Sequence, residues 1–131
     1  MKFVFYTLCI LASCLIIFAG CDDTAKGIDN VTIPSSNVSF GKYIQPLFIA
    51  KCGNSGCHDG ETNAGGIDLM TWVGATNPQI VVSGDPDNST LVWSIEDRPG
   101  ISPMPPYGYS GLNSNEITGI KTWIKEGAKN N

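Results

Sequence analysis

The 131-residue chain has a single histidine, His58, a single arginine, Arg98, and three methionines. Charged residues are scarce at 15%, and the twelve acidic side chains outnumber the eight basic ones, for a net charge of −4. A nucleic-acid partner would need a basic face, so that class of function is excluded. One histidine excludes paired histidine ligation of a metal within the chain. The length is enough for one small domain and no more. No internal repeat is present, and no stretch shows the apolar–polar alternation of a half-buried strand. The fifteen glycines and eight prolines instead point to a loop-rich domain with short helices.

Much of the apolar content lies at the start. After Lys2, residues Phe3 to Phe18 form an uncharged apolar run, followed by Ala19-Gly20-Cys21 and then Asp22-Asp23. Small residues before a cysteine resemble the bacterial lipobox, where the signal peptide is cut and the new N-terminal cysteine carries lipid. Phe18 stands where that motif usually has leucine. The alternative is an uncleaved membrane anchor, for which so short a run is marginal. Both place the remainder outside the cytoplasm. The expected organisation is a signal peptide over 1–20, a lipid-attached linker over 21–37 and one domain over 38–131. Cys9 and Cys14 leave with the leader and Cys21 is the lipid acceptor, so the domain keeps only Cys52 and Cys57. Without Lys2 the mature chain has seven basic and twelve acidic side chains, a net charge of −5.

Within the domain, Phe40, Tyr43, Ile44, Leu47 and Phe48 recur at helical spacing with Ser39 as a cap. Pro46 predicts a kink or a fresh helix start. A Gly-rich loop follows over 60–66. Asp85 or Asp87 caps a helix with Leu91, Val92 and Ile95 inward, and a Pro/Gly-rich loop spans 97–111. The last helix is the clearest: Asn113 with Glu116 forms a capping box, Ile117, Ile120 and Ile124 share a face with Trp123 at its edge, and Gly127 is a stop. The fold class is all-α and small, with the first and last helices packed together.

The chemistry centres on Cys52-Gly53-Asn54-Ser55-Gly56-Cys57-His58. A c-type haem is held by two thioether bonds from cysteines to the porphyrin vinyl groups, with the following histidine on the iron. The usual motif has two residues between the cysteines and this one has four. The extra pair must bulge, and Gly53 and Gly56 supply the backbone freedom. Two cysteines are too few for an iron–sulfur cluster. A zinc site wants four ligands at chelating spacing, and none beyond Cys52, Cys57 and His58 is offered by Cys or His. A Cys52–Cys57 disulfide with His58 as an ordinary surface residue suits an oxidising compartment and stays open on the motif alone.

Further motifs accompany this one. Ile44-Gln45-Pro46-Leu47-Phe48 precedes it, and Gly65-Gly66-Ile67-Asp68-Leu69, Gly84-Asp85-Pro86-Asp87-Asn88-Ser89, Pro103-Met104-Pro105-Pro106 and Trp123-Ile124-Lys125-Glu126-Gly127-Ala128 follow. Together, over roughly residues 38 to 128, they resemble the small class I cytochrome c domains of planctomycetes and bacteroidetes, where the four-residue spacing recurs. The resemblance implies a cytochrome c-like fold around one covalent haem c, bound by Cys52 and Cys57, with His58 as proximal and Met104 as distal ligand.

The residues bear on the sixth iron position as well. Once Met1 leaves with the leader, Met70 and Met104 are the only thioethers. Met104 lies in a strap stiffened by Pro103, Pro105 and Pro106, whereas Met70 reads as core filling. Packing in a turn is the alternative for Met104. Trp72, Trp93 and Trp123 read as core or helix contacts, Tyr107 and Tyr109 as loop residues or haem cover, and Arg98 as a solvated charge or a propionate partner. No pair of carboxylates reads as general acid and base, so no enzymatic activity is expected. The expected function is electron carriage by a six-coordinate haem at a membrane surface, at the periplasmic face or cell surface, with redox partners that present a basic docking face. The alternatives are a haem sensor or small haem enzyme with an open or labile sixth site, and a haem-free, disulfide-bonded surface lipoprotein.

Overall fold

Ser39 begins the first helical segment: its hydroxyl accepts the Lys42 amide at 3.2 Å and caps a π-helical turn, Phe40–Ile44. Helix α1, Gln45–Lys51, takes over with Pro46 in its first turn, where no amide is needed, so the fresh start expected at the proline is present. In this computed structural model, which describes residues 31–131, there follow α2 (Trp72–Ala75), α3 (Thr90–Ile95) and α4 (Ser114–Lys125). There is no strand among the described residues, and no helix there is long and apolar enough to cross a membrane. The fold is small and all-α, as expected. The expected signal peptide, Cys21 and the linker up to residue 30 lie outside the described residues.

Local chemistry accounts for the elements. Asp85 accepts the Asn88 amide and caps a 3-10 turn, Pro86–Asn88, that leads into α3. The capping box of α4 is complete: Asn113 Oδ1 accepts the Glu116 amide at 3.0 Å, and Glu116 Oε2 accepts the Asn113 amide at 2.6 Å. The helix ends at Gly127, whose amide bonds the Ile124 carbonyl while that of Ala128 bonds Trp123, the paired bonds of a Schellman stop.

The core joins the two ends of the domain. Trp123 is fully buried rather than at the edge of its helical face, because Phe40 (centroid distance 5.4 Å) and Phe48 (6.4 Å, edge-on) pack against it. That contact is the packing of first segment on last helix that the apolar periodicity predicts.

The domain also starts earlier than residue 38. Ile33 is buried in a notch over Gly119, and its amide and carbonyl are both bonded by the Asn115 side chain, at 2.8 and 3.0 Å. Glu126 accepts the amides of Asn37 and Val38. Residues 33–37, expected to be linker, are thus laid along α4 and belong to the packed unit.

Candidate haem site

α1 delivers Cys52 as its C-terminal cap, and the chain then turns tightly. The Cys57 amide bonds the Asn54 carbonyl at 2.9 Å, and the His58 amide returns to the Cys52 carbonyl at 3.0 Å. Gly56 makes this turn possible with φ +87°, a left-handed conformation that favours glycine. Gly53 serves differently from expectation. Its φ is not positive; what matters is space, since a Cβ there would lie 2.6 Å from Met70 Sδ and 2.9 Å from the Ile49 carbonyl oxygen. Cys52 and Cys57 are both free thiols in this structure. Burial pushes the Cys52 thiol up to about 12, with Cys57 and the buried Glu116 adding to the effect.

His58 is oriented by a partner that the sequence did not reveal. Its Nδ1 lies 3.2 Å from the Ile67 carbonyl oxygen. A carbonyl only accepts, so Nδ1 is the donor in this bond, which leaves Nε2 as the nitrogen available to a metal. The loop between them is held by Asp59, whose carboxylate accepts the amides of Thr62 and Glu61; the bond from Thr62 foremost holds that carboxyl below its usual range.

These residues open onto one cleft, whose non-atom space is about 820 Å³ with open solvent counted. Cys52, Cys57 and His58 line it, and so does Met104 from the 97–111 loop, with Leu69 and Ile95 among the apolar walls. The four residues singled out from the sequence therefore meet at one cavity. Met70 does not line it and packs against the core instead. None of the three tryptophans lines it either: the indole N–H groups of Trp72, Trp93 and Trp123 donate to backbone carbonyls of Ala128, Asp87 and Lys129. Tyr109 reaches the cleft, whereas Tyr107 is 81% exposed and bonds Asp97. Arg98 pairs with Glu96 at 2.7 Å and does not line the cleft.

The donor set fits a covalently held haem better than a bare metal ion. Two unpaired thiols suit thioether attachment, and an imidazole with its outer nitrogen engaged, a thioether and apolar walls suit a porphyrin iron. Among the described residues no three His, Cys, Asp or Glu side chains are grouped to hold a metal by themselves. Comparison with curated proteins and with solved structures gave no match. Residues 55–108 match the family model for Planctomycete cytochrome C, a span that takes in Cys57, His58 and Met104. Over these residues the chain matches a planctomycete-type cytochrome c domain, and the match supports the general role of a haem-binding electron carrier.

Proposed function

We propose that the protein carries single electrons on one haem c, attached through Cys52 and Cys57, with His58 and Met104 as axial ligands. The observation behind this reading is that all four side chains line one cleft, with the His58 Nδ1 proton committed to Ile67. When bound, the haem supplies the redox change, and a six-coordinate iron leaves no position for substrate. The chain's own residues do the rest. Cys52 and Cys57 fix position, Ile67 holds the imidazole ring, and the walls of the cleft exclude water. A site that keeps both ligands through a redox cycle has no part in substrate turnover, so the protein is not an enzyme.

Lipid on Cys21 keeps the carrier at the cell envelope, on the periplasmic face or the cell surface. The acidic balance of the chain favours redox partners with a basic docking face. The test is the visible spectrum of the ferric holoprotein with Met104→Ala and Met70→Ala. Methionine ligation gives a weak band at the red end. Met104→Ala should lose it and bind carbon monoxide when reduced, whereas Met70→Ala should keep the band. Loss of the band in Met70→Ala alone would reverse the assignment.

A further inference from the structure

The segment before Ser39 is an arm that runs along α4. At one end the amides of Asn37 and Val38 are bonded to Glu126, just past the last turn of the helix. At the other, Ile33 is bonded to Asn115 and seated over Gly119. Asn115 and Glu126 are eleven residues apart, about 16 Å along a helix. Followed toward its N-terminus, the chain therefore leaves the domain beside the start of α4, not beside its end.

The start of α4 is also the end of the domain that carries the cleft. The first helical segment runs antiparallel to α4. Its Phe40 amide bonds Asn131, past the end of α4, Phe48 packs on Trp123, and Cys52 comes near enough to Glu116, in the first turn, for their charges to interact. The loop that brings Met104 and Tyr109 to the cleft runs on into Asn113, the cap of α4. That loop exposes Tyr107 and Tyr109, side chains with an apolar body and a polar tip that suit the headgroup region of a bilayer. The excess of acidic side chains makes neutral headgroups a better match than anionic ones.

We propose that the arm over residues 31–38 orients the domain on its anchor: it brings the tether out at the cleft end, so that this end, with Tyr107 and Tyr109, faces the membrane surface. This rests on the reading of Cys21 as the lipid-bearing residue. Cys21 is twelve residues before Ile33, a length of chain that spans at most about 40 Å. On so short a tether the exit point decides which end of the domain is held near the lipid. Without the Ile33 contact the tether would leave from Val38, at the opposite end, and the cleft would point away from the bilayer.

The test uses the lipidated holoprotein in phosphatidylcholine vesicles that carry a headgroup fluorophore, which haem quenches with a steep dependence on distance. Two variants break the same contact from its two sides: Ile33→Asp puts a charge into the apolar notch, and Gly119→Ala fills it. Hydrogen exchange at the bonded amides of Ile33, Asn37 and Val38 reads whether the arm is released, and the haem spectrum reads whether the domain is intact. Wild type should show protected amides and strong quenching, and a variant with an intact spectrum and a released arm should lose most of that quenching. Unprotected amides or weak quenching in the wild type would overturn the proposal, and so would quenching that survives release in either variant. Mass spectrometry keeps the two readings apart. Wild type without lipid on Cys21 removes the anchor and the orientation with it, whereas lipid on Cys21 with quenching unchanged by release removes the orientation alone.

Discussion

Gly119→Ala sets two effects of opposite sign against each other. Glycine inside a helix costs about 1 kcal/mol relative to alanine, so propensity alone predicts a more stable protein. The notch predicts the reverse. A Cβ at 119 would meet Ile33 Cγ2 at 2.6 Å, Cδ1 at 2.7 Å and Cβ at 3.0 Å, so Ile33 must leave its site. Ile33 is 5% exposed, and losing the burial of such a side chain costs about 1.5–3 kcal/mol. The two Asn115 bonds to its backbone are put at risk as well, at about 1 kcal/mol each. Net destabilisation of about 1–3 kcal/mol is expected, a fall of about 5–15 °C in the melting temperature of a domain this size. Urea or thermal unfolding of the holoprotein measures it, and a double-mutant cycle with Ile33→Ala isolates the contact. Ile33→Ala should cost about 2–4 kcal/mol in the wild-type background and much less in the Gly119→Ala background. A higher melting temperature for Gly119→Ala, or the same cost for Ile33→Ala in both backgrounds, would refute the notch.

Three further outcomes are expected. Gly53→Ala should destabilise the domain by about 1–3 kcal/mol and lower the yield of haem-attached protein on a stained gel, because the Ile49 carbonyl in its way is backbone and cannot swing aside; unaltered stability would contradict this. Glu96 accepts from Lys121 Nζ at 2.6 Å and pairs with Arg98, and these bonds, Lys121 first, lower its pKa. A folded pKa below the unfolded one gives stability that is present at neutral pH and lost as pH falls through the folded value. Glu96→Gln should then cost about 0.5–1 kcal/mol at pH 7, with the difference from wild type fading below about pH 4; a pH-independent difference would show that charge is not the cause. Cys21→Ser should leave the precursor uncleaved by the lipoprotein peptidase and without acyl chains; wild-type protein that begins elsewhere and carries no lipid would overturn the anchor.

What could be read in the sequence was what local chemistry decides. The Ser39 cap, the helix start at Pro46, the capping box of Asn113 and Glu116 and the stop at Gly127 each depend on a few adjacent residues, and all are present. Burial of Trp123 and docking of Ile33 depend on contacts across most of the chain, and a lone isoleucine among polar residues shows no periodicity. One signal was available: Gly119, in mid-helix beside an apolar face, marks close approach of another segment. The motif residues of the site were legible because covalent haem chemistry needs them at fixed spacing. Their supports were not, since the carbonyls of Ile67, behind His58, and of Ser94, which accepts the Met104 amide, are backbone groups that any residue would offer.

The most direct measurement is mass spectrometry of protein matured in a host with c-type haem machinery, after full denaturation and then after digestion. The mass of one haem should be retained through denaturation and carried by the peptide that contains Cys52, Cys57 and His58. Free thiols at Cys52 and Cys57, or a disulfide between them, would contradict covalent haem attachment and the electron-carrier function built on it.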